Sequence, residues 1–284
     1  MKNNLRSAIG ISLLLVALAL YGLSLVPKQD KPESLESLGS AYESAMAKGD
    51  DVLARQALDK ALLIDKNNTR LHRLRGRLKA KHGDRQGALT DYNQALASGP
   101  DADTLTDRAM LYFDEHSYNL AYGDYDALCS MKGPQALDGL FGKAFCNYSQ
   151  GNQVIARKLA SELLAKSPRY IKGYVLLGNS YAQSGELDSA VDVYTQGLRL
   201  EKNSADLHFD RGLVYSRQRQ HALALKDYQA ALAVKPQNSE YLVRAAYAAY
   251  DSGDKSLASK LVASAIAVDS KNKDALKLLG VLGK

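Results

Sequence analysis

From residue 35 onward, apolar and small residues return at a helical spacing inside a longer period of about 34 residues. Alanine marks the register at Ala54, Ala88, Ala121, Ala156, Ala190, Ala224 and Ala258, at intervals of 34, 33, 35, 34, 34 and 34. Twelve residues before each stands Gly76, Ala109, Ala144, Gly178, Gly212 or Ala246, with Tyr42 as the one large residue in the series. Small residues at both places let two helices approach closely. Between them Gly49, Gly83, Gly151, Gly185 and Gly253 predict a turn through positive φ that ends the first helix. Pro100, Pro168 and Pro236 punctuate the end of the second helix. Each period is therefore predicted to be a helical hairpin, in units 35–68, 69–101, 102–136, 137–170, 171–204, 205–238 and 239–272. Residues 273–284, with Leu276, Leu279 and Gly280, predict a further helix that caps the array.

A second regularity sits inside the first. Arg75, Arg108 and Arg211 immediately precede the small residue of units two, three and six. The same three units carry Asp91, Asp124 and Asp227 immediately before a tyrosine of the second helix, and none of the other four units has either member. Ion pairs of Arg75 with Asp91, Arg108 with Asp124 and Arg211 with Asp227 follow as expectations. If exposed, each contributes at most about 1 kcal/mol.

The pattern resembles the tetratricopeptide repeat (TPR) over residues 35–284. It is fullest in the order Tyr174, Leu177, Gly178, Tyr181, Ala190, Tyr194, followed by His208, Gly212, Tyr215, Ala224, Tyr228, Ala231 and Pro236. Tyr42, Lys79 and Asn147 depart from it and blur the edges of units one, two and four. The resemblance implies an all-α, right-handed solenoid of about seven hairpins with a capping helix. It also implies a concave groove lined by the second, fifth, ninth and twelfth places of each first helix. Those spacings keep the residues on one helical face. On that face lie Arg70, Arg73 and Arg77 of unit two, Met110 and Phe113 of unit three, and Phe141, Phe145 and Tyr148 of unit four. Asn179, Phe209, Tyr247 and Tyr250 continue it through units five to seven. All four phenylalanines of the chain fall there. TPR domains that clamp a carboxylate use lysine and asparagine on successive first helices. Only Asn179 and Arg244 match such places, with Val175, Asp210 and Glu240 where other residues are required.

Ahead of the array, Ser7 to Val26 is a run of 20 residues without charge, preceded by Lys2 and Arg6 and closed by Pro27. As a helix it would span about 30 Å, the thickness of a bilayer core. Residues 1–26 are expected to form an apolar membrane anchor, with a signal peptide cut near Ala17-Leu18-Ala19 as the competing reading. Residues 27–34 then tether the repeats, expected outside the cytoplasm: periplasmic if the source is bacterial, and soluble or secreted if the segment is cleaved.

Composition removes other classes. The chain of 284 residues is 46% apolar and 24% charged with six prolines, which describes a folded body. A net charge of +6 is too diffuse for a nucleic-acid binder. Two cysteines exclude a disulfide scaffold, and Cys129 and Cys146 are expected to be unpaired. The five histidines form no metal motif, and His72 and His208 hold the same packing place. No catalytic constellation and no phosphate-binding glycine loop is found, so neither an enzyme nor a cofactor is expected. The functional expectation is a membrane-tethered scaffold that binds a peptide or helix of a partner protein, in envelope complex assembly or quality control. The alternative is a structural subunit that self-associates or packs permanently in a membrane-associated machine.

Overall fold

The computed structural model describes residues 33–283, and within them every regular element is an α-helix. The expected span of residues 7–26 and its orientation lie outside the described residues. Within them, no helix is long and apolar enough to cross a membrane.

The chain divides into two compact units after Ala95. The first holds α1 (Leu35–Ala47), α2 (Asp51–Ile64), α3 (Thr69–Lys81) and α4 (Arg85–Leu96). The second begins with α5 (Ala102–Asp114), α6 (Tyr118–Cys129), α7 (Gln135–Ser149), α8 (Gln153–Lys166) and α9 (Ile171–Gln183). It continues through α10 (Leu187–Leu200), α11 (Ala205–Arg217), α12 (His221–Val234), α13 (Ser239–Asp251), α14 (Lys255–Val268) and α15 (Lys273–Leu282). Consecutive helices pair as antiparallel hairpins, and the fourth opens two residues earlier than its expected start at 137, at Gln135.

The turns follow one rule. Gly49, Gly83, Gly151, Gly185 and Gly253 all take positive φ, between 71° and 90°. The residue after each glycine returns its N–H to a carbonyl five residues back, as in Asp50 to Ala45 and Asp254 to Ala249, both at 2.9 Å. Where glycine is missing the geometry persists: His116 at φ 58° and Arg219 at φ 59° hold the same left-handed place. Ser117 and Gln220 then make the matching bonds to Tyr112 and Tyr215, both at 2.8 Å. Helix starts are closed by side chains. Asp50, Asn68, Asp101, Asn238, Asp254 and Asn272 each accept the N–H three residues on.

All seven register alanines are fully buried. Packing at the helix crossing is a matter of volume. Gly76, Gly178 and Gly212 face Tyr92, Tyr194 and Tyr228, sixteen residues on; a Cβ at Gly76 or Gly212 would meet its tyrosine at 2.7 Å. Where the small residue is Ala144 or Ala246, the partner shrinks to Ala160 or Val262, all of them fully buried. Ala109 breaks the rule, and Tyr125 instead packs over Gly142 of the next hairpin. In the second unit each core cluster draws on neighbouring hairpins, so burial runs as a series along the array. The helix α15 closes the last hairpin with Ala275 and Leu278, while Leu276 and Leu279 stay exposed.

The three expected ion pairs form, each with two bonds. Arg75 meets Asp91 at 2.9 and 2.6 Å, Arg108 meets Asp124 at 2.9 and 2.6 Å, and Arg211 meets Asp227 at 2.7 and 2.8 Å. Their carboxylates are 1%, 5% and 3% exposed, so these are buried pairs and the figure for surface bridges does not apply. Arg75 and Arg211 also reach sixteen residues back, Arg75 to Asp59 at 2.8 Å and Arg211 to the Thr195 hydroxyl at 2.9 Å. His72 and His208 complete two of the sites, lying 3.3 Å from Asp91 and 3.0 Å from Asp227. The hydrogen bonds of Arg75 raise its pKa against the opposing effect of burial. Burial works against ionisation of Asp91, but bonds from Arg75 and Lys79 outweigh it and hold the carboxyl below its ordinary range. Cys129 and Cys146 are free thiols, and burial pushes Cys146 up to about 11.

Candidate partner-binding groove

The first helices of the second unit present two cavities. One, of about 420 Å³, is lined by Met110 and Phe113 from α5, Phe141 and Phe145 from α7, and Tyr170 and Lys172 at the start of α9. The rings form a row. Phe113 stacks on Phe145 at 4.7 Å, and Phe145 lies 6.0 Å from Phe141, which lies 5.7 Å from Tyr170. All four rings are half-buried or more, whereas Met110 is 56% exposed. The floor is made by Tyr125, which reaches the cavity because Gly142 offers no Cβ in its way. Tyr170 donates to Asp138 at 2.8 Å, and burial holds its phenol above the ordinary range.

The second cavity, about 650 Å³, is lined from α7, α9, α11 and α13 by Tyr148, Asn179, Asp210, Arg217, Arg244 and Tyr247, among others. Its inner wall comes from behind. Gly178 and Gly212 leave room for the Tyr194 and Tyr228 rings of α10 and α12 to reach the cavity. The Tyr194 hydroxyl donates to Asn179 Oδ1 at 2.5 Å, and Asn179 Nδ2 donates to Asp210 Oδ2 at 3.5 Å. Tyr228 shares a hydrogen bond with Ser216 at 3.0 Å. Burial pushes the Asp210 carboxyl up to about 7; the Asn179 bond opposes this, and the charges of Asp206 and Glu240 add to it. The two cavities adjoin on α7, where Phe145 and Tyr148 are 6.4 Å apart. An apolar aromatic section thus passes into a polar one.

The structure brings Met110, Phe113, Phe141, Phe145, Tyr148, Asn179 and Tyr247 to these cavities. Phe209 is a correction. It is 8% exposed and stacked on Tyr241 at 4.4 Å, because the fifth place of α11 turns toward the next first helix. Tyr250 is half-buried against Ala246, Val262 and Leu278 and is not among the residues that line the two cavities. Arg70, Arg73 and Arg77 belong to α3 of the first unit, where Arg70 lines a small cavity with Tyr42 and Glu43. Sequence reasoning named Asp210 and Arg244 only against the carboxylate-clamp pattern, Arg244 as a match and Asp210 as a mismatch, and set neither among the groove residues. Both hold the sixth place of their first helices, which the assumed groove face leaves out. It also missed Tyr194 and Tyr228 as lining residues, for which the glycine sixteen residues earlier is the available signal. Among the described residues no group of three or more His, Cys, Asp or Glu could hold a metal ion.

A family model described as TPR repeat matches residues 178–218, and one described as tetratricopeptide repeat matches residues 205–238. No curated protein matches the chain in sequence. Among solved structures, a tetratricopeptide repeat protein from Parabacteroides merdae is similar at a TM-score of 0.67 and 18% identity, covering 88% of this chain and 99% of that one. The C-terminal part of a TPR repeat-containing protein from Cytophaga hutchinsonii is similar at 0.61 and 17% identity, over 86% and 98%. Pseudomonas aeruginosa pilF follows at 0.55 and 15% identity, over 87% and 96%. The chain therefore carries tetratricopeptide repeats and has the fold of solved TPR proteins. No catalytic family is indicated.

Proposed function

We propose that this protein is a membrane-tethered adaptor whose second unit binds a segment of a partner protein along the two cavities. Repeats of this kind generally mediate binding to proteins. One observation carries the site: Phe113, Phe141 and Phe145 are gathered into one row beside the exposed Met110 at a concave surface. Aromatic rings in a concavity suit a single apolar anchor side chain of a partner. In this reading residues 1–26 hold the protein at the membrane, residues 27–34 act as the tether, and the repeats work outside the cytoplasm on an envelope complex during its assembly or quality control. The binding residues proposed here are Met110, Phe113, Phe141, Phe145, Tyr148, Asn179 and Tyr247 of the second unit, and Arg70, Arg73 and Arg77 are proposed as partner-binding residues of the first.

The test is the mass of the full-length protein in mild detergent, measured beside its Phe145→Ala variant. A monomer whose co-purifying partner is lost on substitution supports the adaptor. A dimer or larger assembly that dissociates on substitution would instead make the protein a self-associating subunit.

A further inference from the structure

Asp210 stands apart from the other charges in the polar cavity. Asp251, on the same wall, faces His221 at 3.6 Å. Arg217 donates to the Ala182 carbonyl at 2.7 Å. Nearby Asp206 is held by Lys235 at 2.7 Å and by the Tyr241 hydroxyl at 3.1 Å. Arg244 lines the cavity as an exposed cation, and it makes no ion pair with Asp210. Among the described residues, the one hydrogen bond to Asp210 is the long one from Asn179, at 3.5 Å. A carboxylate taken out of water without a cation is costly, and a cleft that holds one is a place where an incoming cation gains most.

We propose that Asp210 is the subsite for a cationic side chain, a lysine or arginine, of the segment bound in the groove. This rests on the groove reading above and adds the chemistry of the ligand to it. Tyr148 and Tyr247 line the same cavity, and a cation held close to the face of an aromatic ring is attracted to it. Burial holds the carboxyl partly protonated near neutral pH, so an arriving cation favours the ionised form and releases a proton to solvent. Asn179, fixed by Tyr194, keeps the carboxylate oriented toward the cavity.

The experiment uses the full chain in detergent micelles and short fluorescein-labelled peptides of glycine and serine. Each peptide carries one leucine and, at a scanned position, either lysine or the uncharged norleucine. The best lysine peptide is expected to bind about tenfold tighter than its norleucine twin, a difference of about 1.4 kcal/mol. Asp210→Asn should remove that difference, while Phe145→Ala should weaken both peptides alike. Calorimetry at pH 6.5 in buffers of different ionisation heat should show proton release with the lysine peptide and none with Asp210→Asn. Equal binding of lysine and norleucine peptides would overturn the inference and leave the groove standing. Binding of no peptide at all would overturn both.

Discussion

The Tyr194 hydroxyl donates to Asn179 Oδ1 at 2.5 Å, and it can do so because residue 178, at the helix crossing, has no side chain. A packing solution deep in the hairpin thereby sets the position of a groove residue. Gly178→Ala places a methyl group inside the volume of the Tyr194 ring. It should destabilise the protein by about 2 kcal/mol through overpacking, even though alanine favours a helix. Chemical denaturation followed by circular dichroism checks the loss. Tyr194→Phe, which keeps the ring, should cost about 1 kcal/mol through the lost hydrogen bond.

The pair of Arg211 with Asp227 gives a second expectation. Removing one member leaves a buried charge without its partner, so Asp227→Ala should cost about 3 kcal/mol. Adding Arg211→Met to that variant should restore a large part of the loss, because the uncompensated cation is gone. A double-mutant cycle by urea denaturation measures the coupling. Additive losses would place the energy in Thr195 and His208, the other partners of these two residues.

Arg219 occupies the left-handed turn that glycine holds in five other hairpins. A side chain there costs about 1 to 2 kcal/mol in backbone strain. Glycine would relieve the strain and lose part of the gain to the greater freedom of the unfolded chain. Arg219→Gly should therefore stabilise the protein by about 0.5 to 1 kcal/mol. Gly185→Ala, the reverse change one hairpin earlier, should destabilise it by about 1 kcal/mol, and the two midpoints can be compared directly.

Asp210 makes stability depend on pH in a definite direction. Its folded pKa, about 7, lies above the ordinary value of 3.8. Between those two values the folded state holds more protons than the unfolded one. This contribution is fully favourable below the ordinary value, and it declines as pH rises to about 7, flattening above. Asp210→Asn removes the penalty of ionising among Asp206, Glu240 and the cavity wall. The variant should gain on the order of 2 kcal/mol at pH 8 and little at pH 4. Thermal unfolding at the two pH values reads the difference. A variant no more stable at pH 8 than the parent would mean that the carboxyl is well solvated.

What could be read from the chain was what happens inside one hairpin. Gly49, Gly83 and their equivalents announce a positive φ, and Arg75 with Asp91 can be paired because one hairpin fixes their separation. The burial of those aspartates was not legible, since exposure depends on how neighbouring hairpins cover the pair. Phe209 shows the same limit. Its place on the helix suits a groove, but Tyr241 of the next hairpin stacks over it. Asp210 stood out in the sequence only as a mismatch to a carboxylate clamp, because its character comes from burial and from making no ion pair with the arginines of its cavity, and neither has a sequence signature. The aromatic row of Phe113, Phe141 and Phe145 was legible as residues on one face; its stacking was not.

The measurement that bears most directly on the groove is photo-crosslinking from position 145 in the membrane-bound protein, with adducts identified by mass spectrometry. Phe141→Ala, which removes the neighbouring ring 6.0 Å away, serves as the control. A discrete adduct with a different protein, fading in the control, is the predicted result. Adducts with a second copy of this chain, or none, would contradict a partner-binding groove and assign the aromatic row to self-association or to the protein's own packing.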